Sequence, residues 1–444
     1  MSARLPQGNC PSSANRRPLN ANGWSWVPTL YFAEGLPYVA VMTLSVIVYK
    51  RLGLGNAEIA FYTSWLYLPW TLKPLWSPFV DIVQSKRWWV VMMQGLVAAA
   101  FAGVAFFIPT AFAVRASLAF FWLLAFASAT HDIAADGFYL LALDSGRQSF
   151  FIGIRNTFYR LANIFGQGVL VMAAGLLEEW RGDIPLAWSL TFYALAALFI
   201  GLTVWHRFML PRPMDDDRRR ALSGRKVLSE FARTFAGFFR KPHTALMLFF
   251  LLTYRLGEAQ LAKLTSPFLL DPYESGGLGL STTTVGAIYG TVGVAALVVG
   301  GIVGGLLVSR HGFRHWFLPM AVAINLPDLL YVFLAIGQPQ QVWLIGVCAA
   351  VEQFGYGFGF TAYTLCLILM ARGTHQTAHY AIGTGFMALG VMLPGMFAGS
   401  AQVHMGYTWF FVYVCLCTLP GIAASVLLRR HVDADFGREV KNEQ

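Results

Sequence analysis

The sequence predicts an all-α, polytopic membrane protein built from two six-helix halves. Hydrophobic residues make up 57% of the 444 residues and charged residues only 12%, about half the charged share of soluble proteins. Apolar windows of about 20 residues, the length that crosses ~30 Å of hydrocarbon, recur along the whole chain. We expect twelve spans, at residues 25–49, 58–81, 88–109, 115–143, 149–175, 185–209, 243–270, 282–309, 314–337, 340–370, 377–401 and 406–428.

Basic residues orient these spans. With the N-terminus inside, 23 of the 32 Lys and Arg residues fall on the cytoplasmic side, and the opposite side holds only Lys50, Arg51, Arg115 and Arg181. The positive-inside rule therefore predicts that both termini are cytoplasmic. Because this placement explains the net charge of +10, we infer no nucleic-acid partner.

Composition divides the chain into five segments. We expect a cytoplasmic N-terminal tail at 1–24, a six-helix half at 25–210, a cytoplasmic linker at 211–242, a second six-helix half at 243–430 and a cytoplasmic tail at 431–444. The linker carries apolar residues at helical spacing among basic ones, which predicts an amphipathic helix in the lipid headgroup plane. Its apolar residues are Leu228, Phe231, Phe235, Phe238 and Phe239.

Two pairs of segments suggest that the halves are copies. SPFVDIVQSKRW (77–88) aligns with GGLLVSRHGFRH (304–315) in the register that pairs Asp81 with Ser309. The same offset of 228 residues aligns RQSFFIGIRNTF (147–158) with HQTAHYAIGTGF (375–386). Parallel six-helix repeats around a site at the membrane midplane are the architecture of major facilitator transporters, so we expect that fold.

Acidic residues inside predicted spans mark the candidate proton site. The segment ATHDIAADGF (129–138) places Asp132 and Asp136 four residues apart, on one face of a helix. A carboxylate near the bilayer centre costs on the order of 2.5 kcal/mol or more, so that face must look into a protein or water-lined interior. Either acid could instead pair with an arginine of a neighbouring helix. The proton-coupling candidates are Asp132, Glu34, Glu258 and Asp136.

Basic residues at membrane depth indicate an anionic substrate, because guanidinium groups keep their charge and bind carboxylates or phosphates in pairs of hydrogen bonds. Internal pairing, such as Arg255 with Glu258, is the alternative. We also expect Asp132 to pair with Arg160, since both lie roughly 18 Å from the loop that joins their helices. The substrate-binding candidates are Arg160, Arg255, Lys73, Glu352, Tyr139 and Tyr356, and the gate candidates are Asp81, Arg87, Arg310 and Arg155.

Five motifs follow one another along the chain: FAEGLP (32–37), LKPLWSPFVD (72–81), ATHDIAADG (129–137), YRLGEA (254–259) and EQFGYGFG (352–359). In this order they resemble one branch of the major facilitators, the AmpG-type muropeptide permeases and the acetyl-coenzyme A transporters. The resemblance implies proton-driven import of GlcNAc–anhydro-muramyl peptides across a bacterial inner membrane. The chain departs from the branch at His131, where Gln is commoner, and at Pro74.

The sequence therefore predicts a proton-coupled secondary transporter that imports anionic cell-wall turnover products. A carrier for another bulky anion, such as acetyl-coenzyme A or a siderophore, is the alternative, and a membrane sensor on a transporter fold is a second one. Neither an HExxH nor a GxSxG motif occurs, so no enzyme is expected. The five cysteines lack metal-ligand spacing, and we expect no metal or cofactor. The expected partners are the substrate, protons and the lipid bilayer, and we expect a monomer.

Overall fold

The computed structural model describes residues 23–143, 145–212, 224–372, 376–433 and 436, and the described residues are almost entirely helical. Several helices have a proline at or just after their first residue. Proline is tolerated there because the backbone N–H groups of the first helical turn have no acceptor within the helix. The helices of the first half are α1 (Val27–Val39), α2 (Ser45–Arg51), α3 (Asn56–Trp65), α4 (Leu68–Val83), α5 (Lys86–Phe107), α6 (Ala113–Ala142), α7 (Ser145–Ile164), α8 (Val171–Arg181) and α9 (Ile184–Met209).

The second half follows the linker helix and has a similar build. Its polypeptide kinks at Gly406, where φ is +71°, inside a long helical stretch. The helices are α10 (Gly224–Phe239, in the linker), α11 (Thr244–Thr253), α12 (Leu256–Leu270), α13 (Thr282–Val285), α14 (Val294–His311), α15 (Phe313–Asn325), α16 (Leu329–Gly337), α17 (Val342–Ala371), α18 (Gln376–Cys417) and α19 (Leu419–Arg429).

Ten helical stretches of the described chain are long and apolar enough to cross a membrane. The predicted span 58–81 is not among them, because a turn at Leu66–Tyr67 divides it into α3 and α4, of 10 and 16 residues. The last two predicted spans form one stretch, His379–Arg429. The all-α multi-pass architecture is thus confirmed, and the count of twelve spans stays a prediction.

Short π-helical segments interrupt three of these stretches, at Ala40–Leu44, Phe165–Leu170 and Gly286–Gly293. The second and third contact each other where the two halves meet. A Cβ atom at Gly290 would lie only 1.9 Å from the Gln167 carbonyl oxygen, so the backbones approach at a distance that only glycine permits.

Hydrophobic clusters hold each half together, and one of them crosses between the halves. Ala60 of α3 is 1% exposed and belongs to a cluster whose other buried members, such as Leu261, Leu264 and Ala398, are second-half residues. The halves therefore share a buried interface around α3, α12 and α18.

The linker helix α10 contacts the second half. Phe238 is buried, stacks on Phe386 with ring centroids 6.1 Å apart and meets the His379 ring edge at 5.8 Å. The last turn of the helix is thus fixed by protein contacts. Residues 213–223, and the side chains of Leu228 and Phe231, lie outside the described residues, and the position of this helix in the headgroup plane stays a prediction.

Candidate functional site

Two ion pairs at membrane depth line the first-half side of the site. The Lys73 ammonium of α4 binds the Asp132 carboxylate of α6. One turn further along α6, Asp136 Oδ1 lies 3.0 Å from Arg155 Nη2 of α7. The Asp136 and Lys73 side chains are 44% and 26% exposed. Charged groups within a membrane span face protein or water rather than lipid, so we expect this exposed surface to meet water.

Glu34 of α1 faces these pairs. It is 9% exposed, its closest charged neighbours include Asp132, Asp136 and Lys73, and its buried Oε2 has no hydrogen-bond partner among the described residues. Gly35 allows α1 to approach α7, because a Cβ there would meet Ala162 Cβ at 2.9 Å. Three carboxyl groups thus lie beside two cations, which leaves one acid of the cluster without a cation of its own.

Aromatic rings enclose the Arg155 guanidinium. Its carbon lies 4.4 Å from the Tyr31 ring centroid and 5.2 Å from that of Tyr139, and the Tyr31 hydroxyl donates to Asp136 Oδ1 over 3.2 Å. The Tyr139 hydroxyl donates to the Gln148 carbonyl oxygen, and Tyr139 is only 3% exposed. Tyr139 is therefore packed behind Arg155, and its role as a substrate-binding residue stays a prediction.

The second half contributes a further ion pair. Arg255 immediately precedes α12, and its Nη2 and Nε lie 2.8 and 2.9 Å from Glu258 Oε2. The same guanidinium lies over the Tyr356 and Phe360 rings, 5.1 and 5.4 Å from their centroids. The structure therefore contains the internal Arg255–Glu258 pair, which the sequence offered as the alternative to substrate binding by Arg255.

A cavity of about 290 Å³ lies beside this group. Arg160 enters it from the first half, and its guanidinium lies 3.7 Å from the position that a Cβ at Gly301 would take. The other walls come from the second half and are mostly apolar or aromatic: Leu297, Gly301, Tyr356, Gly357, Phe360, Thr361, Thr364 and Leu365. Arg160 and Tyr356, both expected at a binding site, therefore line one cavity between the halves.

The expected Asp132–Arg160 pair is wrong for this structure. Asp132 binds Lys73, and Arg160 lies against the second half near Gly301. Counting residues from the shared loop gave the depth of each side chain but not its direction around the helix. Direction decides the partner, because side chains at equal depth on two helices can point to different neighbours.

Three other candidates lie away from the cavity. Glu352 is 3% exposed and is bound inside the second half by Gln353 Nε2 at 3.0 Å and the Tyr331 hydroxyl at 3.4 Å. Arg87 Nε donates to the Leu210 carbonyl oxygen over 3.1 Å, within the first half. Arg310 is exposed at the end of α14. The Asp81 side chain lies outside the described residues, and the gate assigned to these residues stays a prediction.

An ion-pair network that the sequence did not predict closes one end of the molecule; we call it the closed end. Lys50 Nζ lies 2.5 Å from Asp271 Oδ1, which joins the first half to the second. Asn56 Nδ2 donates to the Gln402 Oε1 and Tyr407 hydroxyl oxygens, each over 2.8 Å. The Tyr407 hydroxyl in turn donates to Asp271 over 2.6 Å.

Glu178 forms a second junction at the closed end. Its carboxylate binds Arg51 Nη2 at 2.9 Å and the Trp188 indole nitrogen at 2.7 Å, both in the first half. It also accepts a hydrogen bond from the Thr282 hydroxyl of the second half, over 2.9 Å. A Cβ at Gly175 would meet Thr283 N at 2.4 Å. The halves are therefore in tight backbone contact here.

A helical, two-halved membrane protein with ion pairs inside its spans, a cavity between the halves and one closed end is built as a secondary transporter. The chain matches the profile of the Major Facilitator Superfamily over residues 29–399, and it belongs to that superfamily. The protein is thus a multi-pass membrane transporter and not an enzyme.

Its relatives agree with the resemblance to the AmpG type. The chain is 25% identical to a transporter named AmpG 4 from Rickettsia conorii, over 91% of this chain and 96% of that protein. It is 26% identical to the anhydromuropeptide permease of Escherichia coli, over 91% of this chain and 79% of the permease. The solved structure of the nucleoside transporter NupG (D323A mutant) superposes with a TM-score of 0.68 at 16% identity, covering 92% of this chain and 99% of that one. That likeness supports the fold alone.

Proposed function

We propose that the protein is a proton-coupled importer of GlcNAc–anhydro-muramyl peptides across a bacterial inner membrane. The observation that carries the proposal is the cluster of Glu34, Asp132 and Asp136 beside only two cations, Lys73 and Arg155. This surplus acid can take up a proton from one side and release it to the other as its surroundings change. The relatives named AmpG and anhydromuropeptide permease supply the substrate class.

The cavity between the halves offers two kinds of contact that such a substrate needs. Arg160 provides a charged group that binds a carboxylate, and the neighbouring Tyr356 and Phe360 rings provide flat apolar surface. A sugar–peptide with free carboxylates needs both kinds of contact. Acetyl-coenzyme A, the alternative, would place phosphates at the same guanidinium.

Charge distribution supports an orientation for this structure. Lys50, Arg51 and Arg181, three of the few basic residues predicted outside, lie at or next to the closed end. We therefore assign the closed end to the outer side of the membrane and both termini to the cytoplasm. In this orientation the structure is closed to the outside.

Uptake into proteoliposomes tests the function. Radiolabelled GlcNAc–anhydro-muramyl tripeptide should accumulate when the outside is made acidic, and a protonophore should abolish accumulation. Excess unlabelled muropeptide should compete, whereas acetyl-coenzyme A and a ferric siderophore should not. Glu274→Gln, which changes an exposed acid outside the cavity, is the control and should transport normally. Uptake that survives the protonophore but needs sodium would contradict the proton coupling, and competition by acetyl-coenzyme A alone would contradict the substrate.

Cysteine labelling tests the orientation. In a variant without the five native cysteines, Glu274→Cys should react with an impermeant maleimide added to whole cells, because this exposed residue lies near the closed end. His311→Cys, exposed at the end of α14, should react only after the cells are permeabilised. The reverse pattern would invert the proposed orientation.

A further inference from the structure

Lys263 is a buried basic residue that takes part in none of the ion pairs described above. It lies on α12, is 4% exposed and donates a hydrogen bond to the Thr63 hydroxyl of α3 over 3.0 Å. Its Nζ also lies 5.2 Å from the Tyr67 ring centroid. None of the ion pairs formed between described residues includes Lys263. The Lys263 ammonium group has three N–H donors, and its described contacts are one neutral oxygen, that of Thr63, and one aromatic ring, that of Tyr67.

Lys263 lies on α12 between Glu258, which pairs with Arg255, and Asp271 of the closed end. It precedes Asp271 by eight residues on the same helix, roughly 12 Å at 1.5 Å per residue, and Thr63 follows Asn56 by seven residues, roughly 10 Å. Its hydrogen bond to Thr63 crosses from the second half to the first. When the halves separate at the closed end, this bond must break and the ammonium must meet the solvent that enters.

The group around Lys263 has unused hydrogen-bonding capacity. The Ser64 hydroxyl, next to Thr63, is buried and has no partner among the described residues. Ser64 Oγ and the Lys263 side chain both pack against Gly395, where a Cβ would lie 2.7 Å from Ser64 Oγ and 3.3 Å from Lys263 Cγ. The Thr63 hydroxyl already donates to the Ile59 carbonyl oxygen over 2.7 Å, but the Lys263 ammonium and the Ser64 hydroxyl are donors that suit a carboxylate or a phosphate.

We propose that Lys263 receives an acidic group of the substrate, and that this contact makes closure of the outer end depend on a bound anion. The proposal rests on the anionic substrate proposed above and assigns that substrate a contact residue. Closing over an empty Lys263 buries a charge without a counter-charge, which is costly. A substrate carboxylate supplies the counter-charge, so the loaded transporter closes more readily. After the substrate leaves, the uncompensated ammonium favours reopening to the outside, as the return step of an importer requires.

Accessibility of a buried reporter tests this role. Ala60→Cys, in a variant without native cysteines, places a thiol at an interface that is buried while the outer end is closed. With no substrate present, Lys263→Met should reduce the rate of labelling by an external impermeant maleimide by about tenfold, because closure no longer buries a charge. Lys263→Gln should act in the same direction and covers the case in which the Met variant does not fold.

Whether the labelling rate falls or rises in Lys263→Met distinguishes this role from a purely structural one. If Lys263 only ties the halves together through Thr63, its removal should speed labelling, and faster or unchanged labelling overturns the proposal. Gln260→Met is the matched control: it makes the same replacement one turn earlier on α12, at a 2% exposed residue whose neutral amide bonds to its own helix at the Leu256 carbonyl oxygen. Its labelling should equal that of the parent.

A second arm separates this proposal from the proposed function. GlcNAc–anhydro-muramyl tripeptide should slow labelling of the parent protein about tenfold, its carboxyl-amidated form should not, and the Lys263→Met variant should respond to neither. The tripeptide could leave the labelling rate of the parent protein unchanged while Lys263→Met is still labelled more slowly than the parent. That result supports the role of the Lys263 charge and contradicts the proposed substrate. A variant that responds to the tripeptide as the parent does overturns the role of Lys263.

Discussion

Among individual residues, Glu34 and Asp132 have different roles although both are acids in one cluster. Asp132 is held by the Lys73 ammonium, and Glu34 has one buried carboxyl oxygen without a partner among the described residues. Removing one member of a buried ion pair leaves an uncompensated charge, whereas neutralising an acid that has no cation of its own does not. The two acids should therefore differ when they are replaced.

Glu34→Gln should abolish accumulation driven by a proton gradient and preserve exchange of labelled for unlabelled substrate. Exchange needs no net release of a proton, and the amide keeps the shape of the side chain. Asp132→Asn should lower both activities, because it leaves Lys73 without its carboxylate. Accumulation and exchange in proteoliposomes are the measurements, with expression checked for each variant. Normal accumulation by Glu34→Gln would show that this acid is structural and would move the proton site to Asp132 or Asp136.

For the helices and their contacts, glycines determine how closely the two halves approach. The π-helical segments Phe165–Leu170 and Gly286–Gly293 touch through backbone atoms, with Gly168 and Gly290 facing each other. A Cβ at Gly168 would lie 2.7 Å from Thr291 Oγ1 and 3.2 Å from the Gly290 carbonyl oxygen. Any side chain in this contact must push the halves apart.

Gly290→Ala should therefore shift the transporter away from the closed conformation. Overpacking of a tight contact costs about 1–3 kcal/mol, which corresponds to an increase of about 5- to 150-fold in the open population. The rate of external labelling at Ala60→Cys measures the shift. Gly305→Ala on α14 is the matched control, since a Cβ at Gly305 meets nothing within 4 Å. An unchanged labelling rate for Gly290→Ala would show that the contact adjusts without opening.

The apolar windows and their length predict most of the helical stretches, although the expected span 58–81 is divided and the last two spans form one stretch. Arg160 and Tyr356, two of the substrate-binding candidates, line one cavity, and their role in binding stays a prediction. The partner of Asp132 was not predictable, because it depends on the direction of side chains around packed helices. The turn at Leu66–Tyr67 and the π-helical segments also arise from contacts between distant elements, which no local pattern records.

The whole molecule is closed at one end by residues that are far apart in the sequence. Lys50 and Asp271 are separated by more than 200 residues, and each belongs to a different half. In the sequence, Lys50 is one of the few basic residues predicted outside, and no pattern marks Asp271. A pairing over such a distance becomes visible only when the two halves are placed together.

A double-mutant cycle on this pair should reveal coupling between the halves. Lys50→Gln and Asp271→Asn should each speed external labelling at Ala60→Cys, by about fivefold if the pair contributes about 1 kcal/mol. The double variant should open no more than the larger single variant, since the interaction can be lost only once. Strictly additive effects would show that Lys50 and Asp271 act separately, and Glu274→Gln provides a nearby acid that should have no effect.

The two junctions of the closed end, at Asp271 and at Glu178, differ in the contacts that they lose when the halves separate. When the halves separate, its carboxylate keeps Arg51 and Trp188 and loses only the Thr282 hydroxyl, whereas Asp271 loses its Lys50 cation. Among the described residues, opening therefore separates the Lys50–Asp271 pair, and in the proposed orientation it exposes both charges to the external medium. Because dissolved ions screen separated charges, we expect the ionic strength outside the cell to change the opening equilibrium through this pair.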